Sequence, residues 1–524
     1  MPAAAFLAQW AIRSAENTVL EPCCGEGVFL RAARRRTAQI GEDLRGGNVT
    51  AVELDGQARI RASAEVPRAR LIHEDFFDLS PARIGTFDAV IGNPPFVRYH
   101  LFTGDARQRA LWLARTLGVQ LSGLTSSWVP FLLHASRFLK LGGRMAVVVP
   151  YELTYAIYAR PFIEYVASRF ASVTLLIFGE PLFPELNEKA ALLLCDGFGG
   201  RTPAIDVVHL PSLAHMPEQA MPTGCPILAK DLVTGAFRVR LLEVSQSVRR
   251  LYSTLGEHAK VVRLGDNATL TIGYVTGDNA FFHMNRERAL SHGLPLDALR
   301  IAVRKGSDLN TVGLGLTEVD ASRLVAAGEN LLFYPEQQTR HPAVTAYIQS
   351  GESTGRGANN FKARARRTWW RVPGVSAPDM FLTVFGHSGP RLVANDAGVV
   401  ATNSVLVLRL REGAPGAHAL AAAARTTLAA LSAEIEGHHL GGGALKFEPC
   451  EARRWMLPAR VALDPSSLVE IDRALREGNL DRANDLADRS FLMKGLGLTH
   501  VEVLALREAV QVLREGRTKR RQCT

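Results

Sequence analysis

Four consecutive residues, Asn93, Pro94, Pro95 and Phe96, give the strongest chemical signal in this chain. Two prolines in a row fix the backbone, and a residue before proline is driven to extended geometry. Asn93 is therefore held stiffly. Its side-chain carbonyl and the Pro94 main-chain carbonyl can accept the two protons of an aromatic amine. Such an amine is a poor nucleophile, because its lone pair is delocalised into the ring. Polarising its N–H bonds drives the nitrogen toward tetrahedral geometry, ready to attack the methyl group of a sulfonium. The work is positioning and electrostatic preorganisation, with no strong base. Phe96 adds a flat face for a base swung out of a duplex, and stacking of that kind contributes about 1–3 kcal/mol per base. The plain alternative is a Pro-rich turn after a buried strand.

The elements around the motif favour the chemical reading. Residues 87–91 form a strand, so the motif lies at a carboxyl end. Strands over 18–20, 49–54 and 69–73 come before it, with a helix ending within 8–14 and another over 29–40. A helix over 128–139 and strands over 144–149, 170–177 and 190–194 follow. This alternation predicts an open, mostly parallel sheet wrapped by helices, whose ligands gather at the carboxyl strand ends. Residues 21–27 (Glu-Pro-Cys-Cys-Gly-Glu-Gly) lie at one such end and offer Gly25 and Gly27, with Glu21 and Cys23 beside them. Leu30 stands where a dinucleotide fingerprint needs a third glycine, so NAD is disfavoured. Glu53, at the second end, can accept both ribose hydroxyls of a nucleoside. Asp75, at the third, can accept an adenine amine, with Phe76 packing nearby. Singly, each acid reads more readily as a solvated strand end; in succession they describe a nucleoside site.

The chain has 524 residues, 47% hydrophobic and 21% charged, a globular composition long enough for two or three domains. No run of 18 uncharged apolar residues occurs, and the N-terminus lacks a basic leader. Cysteines at 23, 24, 195, 225, 450 and 523 form no Cys-x-x-Cys pair. A reduced, cytoplasmic protein without structural metal or membrane partner is expected. A net charge of +10 points toward a polyanion without proving one. Past residue 200 prolines cluster over 203–226, and a charged helix-like stretch covers 239–255. A less regular α+β region runs over 264–458, and a helical tail over 466–514. The basic run 517–521 reads as a solvated terminus.

Taken in order, these motifs resemble the amino-methylating DNA methyltransferases, and in particular the gamma class typified by the Taq adenine-specific enzyme. Residues 21–27 resemble its Glu-Pro-x-x-Gly-x-Gly loop. Glu53, Asp75 with Phe76, and Asn93 to Phe96 match the next three motifs, and Glu180-Pro-Leu-Phe183-Pro184 resembles the segment whose phenylalanine touches the flipped adenine. The resemblance implies S-adenosylmethionine as cofactor and a Rossmann-like class I methyltransferase domain over 1–240. It also implies an α+β target-recognition domain over 241–460 and a helical C-terminal segment over 461–524. Residues 273–281, 369–371, 402–404 and 441–446 resemble recurring pieces of that second domain. There are two departures. Phe96 stands where many members carry tyrosine. The family's Thr-Pro segment aligns at Pro2 with only Met1 before it, so either the start lies further upstream or the arm that touches the cofactor's methionine end is missing.

Lys362, Arg364, Arg366, Arg367 and Arg371 cluster beside Trp369 and Trp370, a composition suited to phosphates and bases. The expected partner is double-stranded DNA, together with a separate cognate restriction endonuclease. The expected activity is site-specific N6-adenine methylation with base flipping, in a restriction-modification or phage-defence system. Methylation of RNA adenine or of a protein glutamine uses similar motifs and stays open. So does a DNA-binding specificity or defence protein that no longer turns over. The recognition sequence, its symmetry and the oligomeric state are not legible.

Overall fold

The computed structural model describes residues 2–41, 48–183, 189–216, 222–336, 340–439 and 443–518. Pro184, Gly441, Gly442 and most of the basic run 517–521 lie outside them. The chain divides into two compact units, 1–243 and 244–524. Among the described residues no helix is long and apolar enough to cross a membrane.

Among the described residues the first unit is built on nine strands: β1 (Val19–Glu21), β2 (Val49–Val52), β3 (Arg70–Ile72), β4 (Phe87–Gly92), β5 (Leu139–Pro150), β6 (Phe170–Phe178), β7 (Ala190–Phe198), β8 (Ala204–Leu210) and β9 (Cys225–Leu228). Their order is β3-β2-β1-β4-β5-β7-β6-β8-β9. The first five pair in parallel, and β7 runs antiparallel to both neighbours. Both faces are buried, as the period-2 geometry of a strand shows. Val19, Ala89, Ile91, Ala146 and Val148 enter one core, whereas Leu20, Val90, Met145, Val147 and Val149 enter the other. Helices α1 (Pro2–Ala11) and α2 (Val28–Ile40) cover the first face, with α3 (Gly56–Glu65) contributing Ala62. Between β4 and β5 come α4 (Gly104–Thr116) and α5 (Trp128–Ser136), and α6 (Arg160–Arg169) lies between β5 and β6. Trp128 and Phe162 fill the second face and are fully buried. Each such side chain contributes about 2–3 kcal/mol through removal from water.

The Pro-rich stretch expected as a break in pattern instead adds β8 and β9 to the sheet edge. The helix expected over 239–255 is also two pieces, Val239–Glu243 and Gln246–Gly256. Ser245 separates them, because its hydroxyl accepts the Val248 N–H and starts a new helix.

The second unit is α+β. It holds a five-stranded sheet (Ala268–Ile272, Val405–Leu410, Met380–Thr383, Leu392–Asn395, Gly315–Leu316, in spatial order), with further small sheets of four, three and two strands. The helices Pro465–Arg476 and Leu480–Ala487 of the C-terminal tail belong to the core of this unit. Ile471, Ala474, Leu475, Ala483, Ala487 and Phe491 pack in one cluster with Leu420, Ala429 and Trp455. Arg517, expected in a solvated terminus, is 2% exposed and pairs with Glu434 at 2.8 Å.

Candidate active site and nucleic-acid surface

At β1 the strand ends on Glu21, and Pro22 prevents its continuation. The turn that follows needs left-handed backbone at Gly25 (φ +51°) and Gly27 (φ +86°). A Cβ on Gly27 would lie 3.3 Å from Ala62 Cα on α3, so the glycine lets α2 and α3 approach. A Cβ on Gly25 would meet open space, which leaves its backbone presented outward. Glu53, just past β2, ties the turn down: its carboxylate accepts the Gly25 N–H at 2.7 Å and the Asp55 N–H at 2.8 Å. A carboxylate has about four acceptor positions, so two remain for a ligand. Glu21 lies beneath, 1% exposed, and its Oε2 has no hydrogen-bond partner. Burial first, and then the charge of Glu53, holds its carboxyl well above the usual range.

The Asn93 motif leaves the end of β4 beside this turn. The Cys23 thiol donates to the Asn93 main-chain oxygen at 3.1 Å. Burial and the neighbouring acids push the Cys23 thiol far up and Cys24 to about 12, so both stay protonated and Cys23 acts as a donor. Ser127, next to α5, clamps the other side. Its hydroxyl donates to the Pro95 oxygen and accepts the Val97 N–H at 2.9 Å, and its own N–H reaches the Val97 oxygen at 3.0 Å. Pro94 is buried, Pro95 exposed and Phe96 half-buried against both cores. Within this clamp the Asn93 Oδ1 is buried and has no hydrogen-bond partner. Leaving such an acceptor unpaired costs about 1–3 kcal/mol. Each such orphan calls for an explanation, and a ligand is one.

The remaining expected residues divide. Asp75 lies at the end of β3, where one oxygen caps the turn 76–78 through the Phe77 N–H and the other meets Arg109 at 3.3 Å. Phe76 departs from expectation: its ring is 4% exposed and packed against Phe131, His134 and Phe138, with centroids 4.8–5.2 Å away. On that tight turn the side chain points into the core. Phe183 is buried in the same cluster that Phe96 packs against. Sequence reasoning missed Arg109 beside Asp75 and Ser127 beside Pro95. Leu54 is 66% exposed directly after Glu53.

In the second unit the basic segment also divides. Lys362, Arg364 and Arg367 are exposed, and Phe361 beside them is 85% exposed. Arg366 and Arg371 are half-buried and hold main-chain oxygens. Arg366 donates to the main-chain oxygens of Val275 (2.9 Å), Thr276 (2.6 Å) and Trp369 (3.1 Å). Arg371 donates to the Pro335 oxygen at 2.7 Å and lies over the Tyr334 ring. The Trp369 ring packs on Phe281 at 5.3 Å and its Nε1 donates to Glu352, while Trp370 is half-buried. Two further pieces singled out in the sequence meet here. Tyr274 N donates to the Ala401 oxygen, and Asn403 N to the Tyr274 oxygen. Gly273 is required at that junction, since a Cβ would lie 2.3 Å from two main-chain oxygens. Elsewhere, ligand atoms of His438, Glu448 and Glu451 lie within 4.8 Å of one another. Lys446 and Arg454 already face these carboxylates, which closes the group as an ion-pair network.

The sheet order with its antiparallel β7, the glycine turn at β1 and the Asn-Pro-Pro-Phe motif at β4 are those of a class I methyltransferase. Its fold is shared by the type IIL restriction-modification enzyme MmeI, solved in complex with DNA. That likeness has a TM-score of 0.53 at 12% identity and covers 97% of this chain and 73% of that one. Residues 47–183 match the family described as Eco57I restriction-modification methylase, and residues 240–492 match the C-terminal domain of type II methyltransferase M.Eco57I. The chain belongs to this Eco57I group of type II restriction-modification DNA methyltransferases. Type II methyltransferase M.AccI of Acinetobacter calcoaceticus is 22% identical over 492 residues, 91% of this chain and 87% of that protein. Type II methyltransferase M.XamI of Xanthomonas campestris pv. amaranthicola is 24% identical over 463 residues, 86% and 82% respectively.

Proposed function

We propose that this chain methylates N6 of adenine in duplex DNA, using S-adenosylmethionine, as the modification component of a cytoplasmic restriction-modification or phage-defence system with a separate endonuclease. The observation that carries the reading is the buried, unpartnered Oδ1 of Asn93, an acceptor poised for an amine proton. Bound S-adenosylmethionine supplies an electrophilic methyl group on a sulfonium. The open turn at Gly25 and Gly27, the spare acceptor positions of Glu53, the Leu54 side chain and the Asp75 carboxylate fit a nucleoside bearing a methionine chain. The Asn93 side-chain oxygen and the Pro94 carbonyl accept hydrogen bonds from the two N–H groups of the adenine amine, while Phe96 faces the extruded ring. Exposed Lys362, Arg364 and Arg367 suit the phosphates of the duplex.

The test is expression in a methylation-free host, followed by sequencing of the genome for modified bases. N6-methyladenine in one recurring motif, abolished by Asn93→Ala, is the expected result. Methylation at cytosine, or none from a protein that binds the cofactor, overturns the reading.

A further inference from the structure

The second unit contains a cavity of about 730 Å³ that the methylation chemistry does not use. Its wall joins the start of the helix Thr427–Glu436 to the C-terminal helices Leu480–Ala487 and His500–Thr518. Arg425 lines it. The guanidinium donates through Nε (3.2 Å) and Nη2 (2.9 Å) to a single atom, Asn484 Oδ1. Among the described residues no carboxylate pairs with Arg425, and neither its Nη1 nor the Asn484 Nδ2 has a partner. A half-buried guanidinium without a counter-charge is unusual, because desolvating it costs free energy that a carboxylate or phosphate normally offsets. Its surroundings sharpen the imbalance. Burial, together with the charges of Arg391 and Arg514, pushes Arg425 down to about 10. Among the described residues, the Arg391 guanidinium is held by the main-chain oxygens of Asn310 and Val312. The acids nearby are already engaged: Asp485 and Asp488 take Arg507, and Glu515 takes the Gln511 amide. Asp481 is exposed where the helix Leu480–Ala487 begins.

We propose that this cavity binds a phosphate group, with Arg425 and Asn484 as its recognition pair. The volume lies within the range of small-molecule sites, and a planar guanidinium beside an amide donor matches a tetrahedral oxyanion. The phosphate belongs either to the DNA backbone or to a free nucleotide or inorganic ion, and the experiment separates these sources.

The full chain is titrated with inorganic phosphate and pyrophosphate, followed by ³¹P NMR and calorimetry, and separately with a duplex across a salt series. Two variants accompany it. Arg425→Gln removes the charge. Gln511→Glu places a negative charge at an exposed position of the wall and leaves the core untouched. Saturable pyrophosphate binding, weakened at least about tenfold in both variants, is expected for loss of one charged partner. If Arg425→Gln also lowers the duplex salt slope by about one, the DNA backbone is the source. An unchanged slope assigns the site to a free phosphate compound. The proposal is overturned if neither phosphate nor pyrophosphate saturates and the duplex slope is unaltered, or if both variants bind like the parent. None of these readings depends on methyl transfer, so they stand or fall separately from the adenine assignment.

Discussion

The hydroxyl of Ser127 donates to the main-chain oxygen of Pro95, 32 residues away in sequence. It accepts the Val97 N–H through the same oxygen atom, so one side chain fixes both ends of the turn that carries Phe96. Ser127 is a positioning residue. Ser127→Ala leaves two main-chain groups unsatisfied, a cost of about 1–3 kcal/mol. The expected result is a fall in kcat of about tenfold or more with cofactor affinity unchanged, and recovery in Ser127→Thr. Equal losses in Ser127→Ala and Ser127→Thr would show that bulk at this position matters and the hydroxyl does not.

Glu53 holds the glycine turn through the Gly25 N–H. Glu53→Ala releases that turn and removes the acceptors proposed for the ribose. Calorimetry should show S-adenosylmethionine affinity reduced at least about tenfold, as for loss of a charged hydrogen-bond acceptor. Glu53→Gln keeps one acceptor for Gly25 and should fall between the two. Parent-like affinity in Glu53→Ala would place the nucleoside elsewhere.

Three exposed cations and one structural arginine separate DNA binding from folding. Replacing Lys362, Arg364 and Arg367 by glutamine should flatten the salt dependence of duplex binding, by about 0.9 in log–log slope for each phosphate no longer neutralised. Arg366→Gln should leave the slope alone. It instead strands the oxygens of Val275, Thr276 and Trp369, and lowers stability by about 1–3 kcal/mol in denaturant titration. A slope change in Arg366→Gln at unchanged stability would reverse these roles.

This division marks where the sequence stops being legible. The sheet and the strand-end motifs follow from local pattern: apolar runs with glycine, acid or proline at their carboxyl ends. Arg366 and Trp369 could not be sorted that way, because their partners are remote in sequence. Arg366 closes on Val275, 91 residues earlier, and Trp369 packs on Phe281. A basic, aromatic segment reads the same whether its side chains face solvent or core. The burial of the Phe76 ring was hidden for a related reason. Phe76 and Phe77 are adjacent, and only the Asp75-capped turn decides which ring is swallowed. Even the Asn93 signal was sharpened by hydrogen bonds that spacing does not reveal, from Cys23 and Ser127.

Stability should fall in mild acid, and each unit carries a group that requires it. His134 in the first unit and His283 in the second are both pushed down to about 4, mainly by burial and then by a nearby arginine. Neutral His134 meets the Phe76 oxygen at 3.1 Å, and His283 meets the Tyr274 hydroxyl at 2.9 Å. In the unfolded chain these rings take up protons near 6.5. Between there and about 4 the unfolded state binds more protons, so lowering the pH favours unfolding; above about 6.5 the two groups have no effect. Each contributes a slope of up to about 1.4 kcal/mol per pH unit within that window. Melting curves from about pH 7.5 to 4.5 should show Tm falling below 6.5, less steeply in His134→Gln and His283→Gln than in the parent. Parallel profiles for all three proteins would mean that both rings are protonated in the folded chain, against their burial.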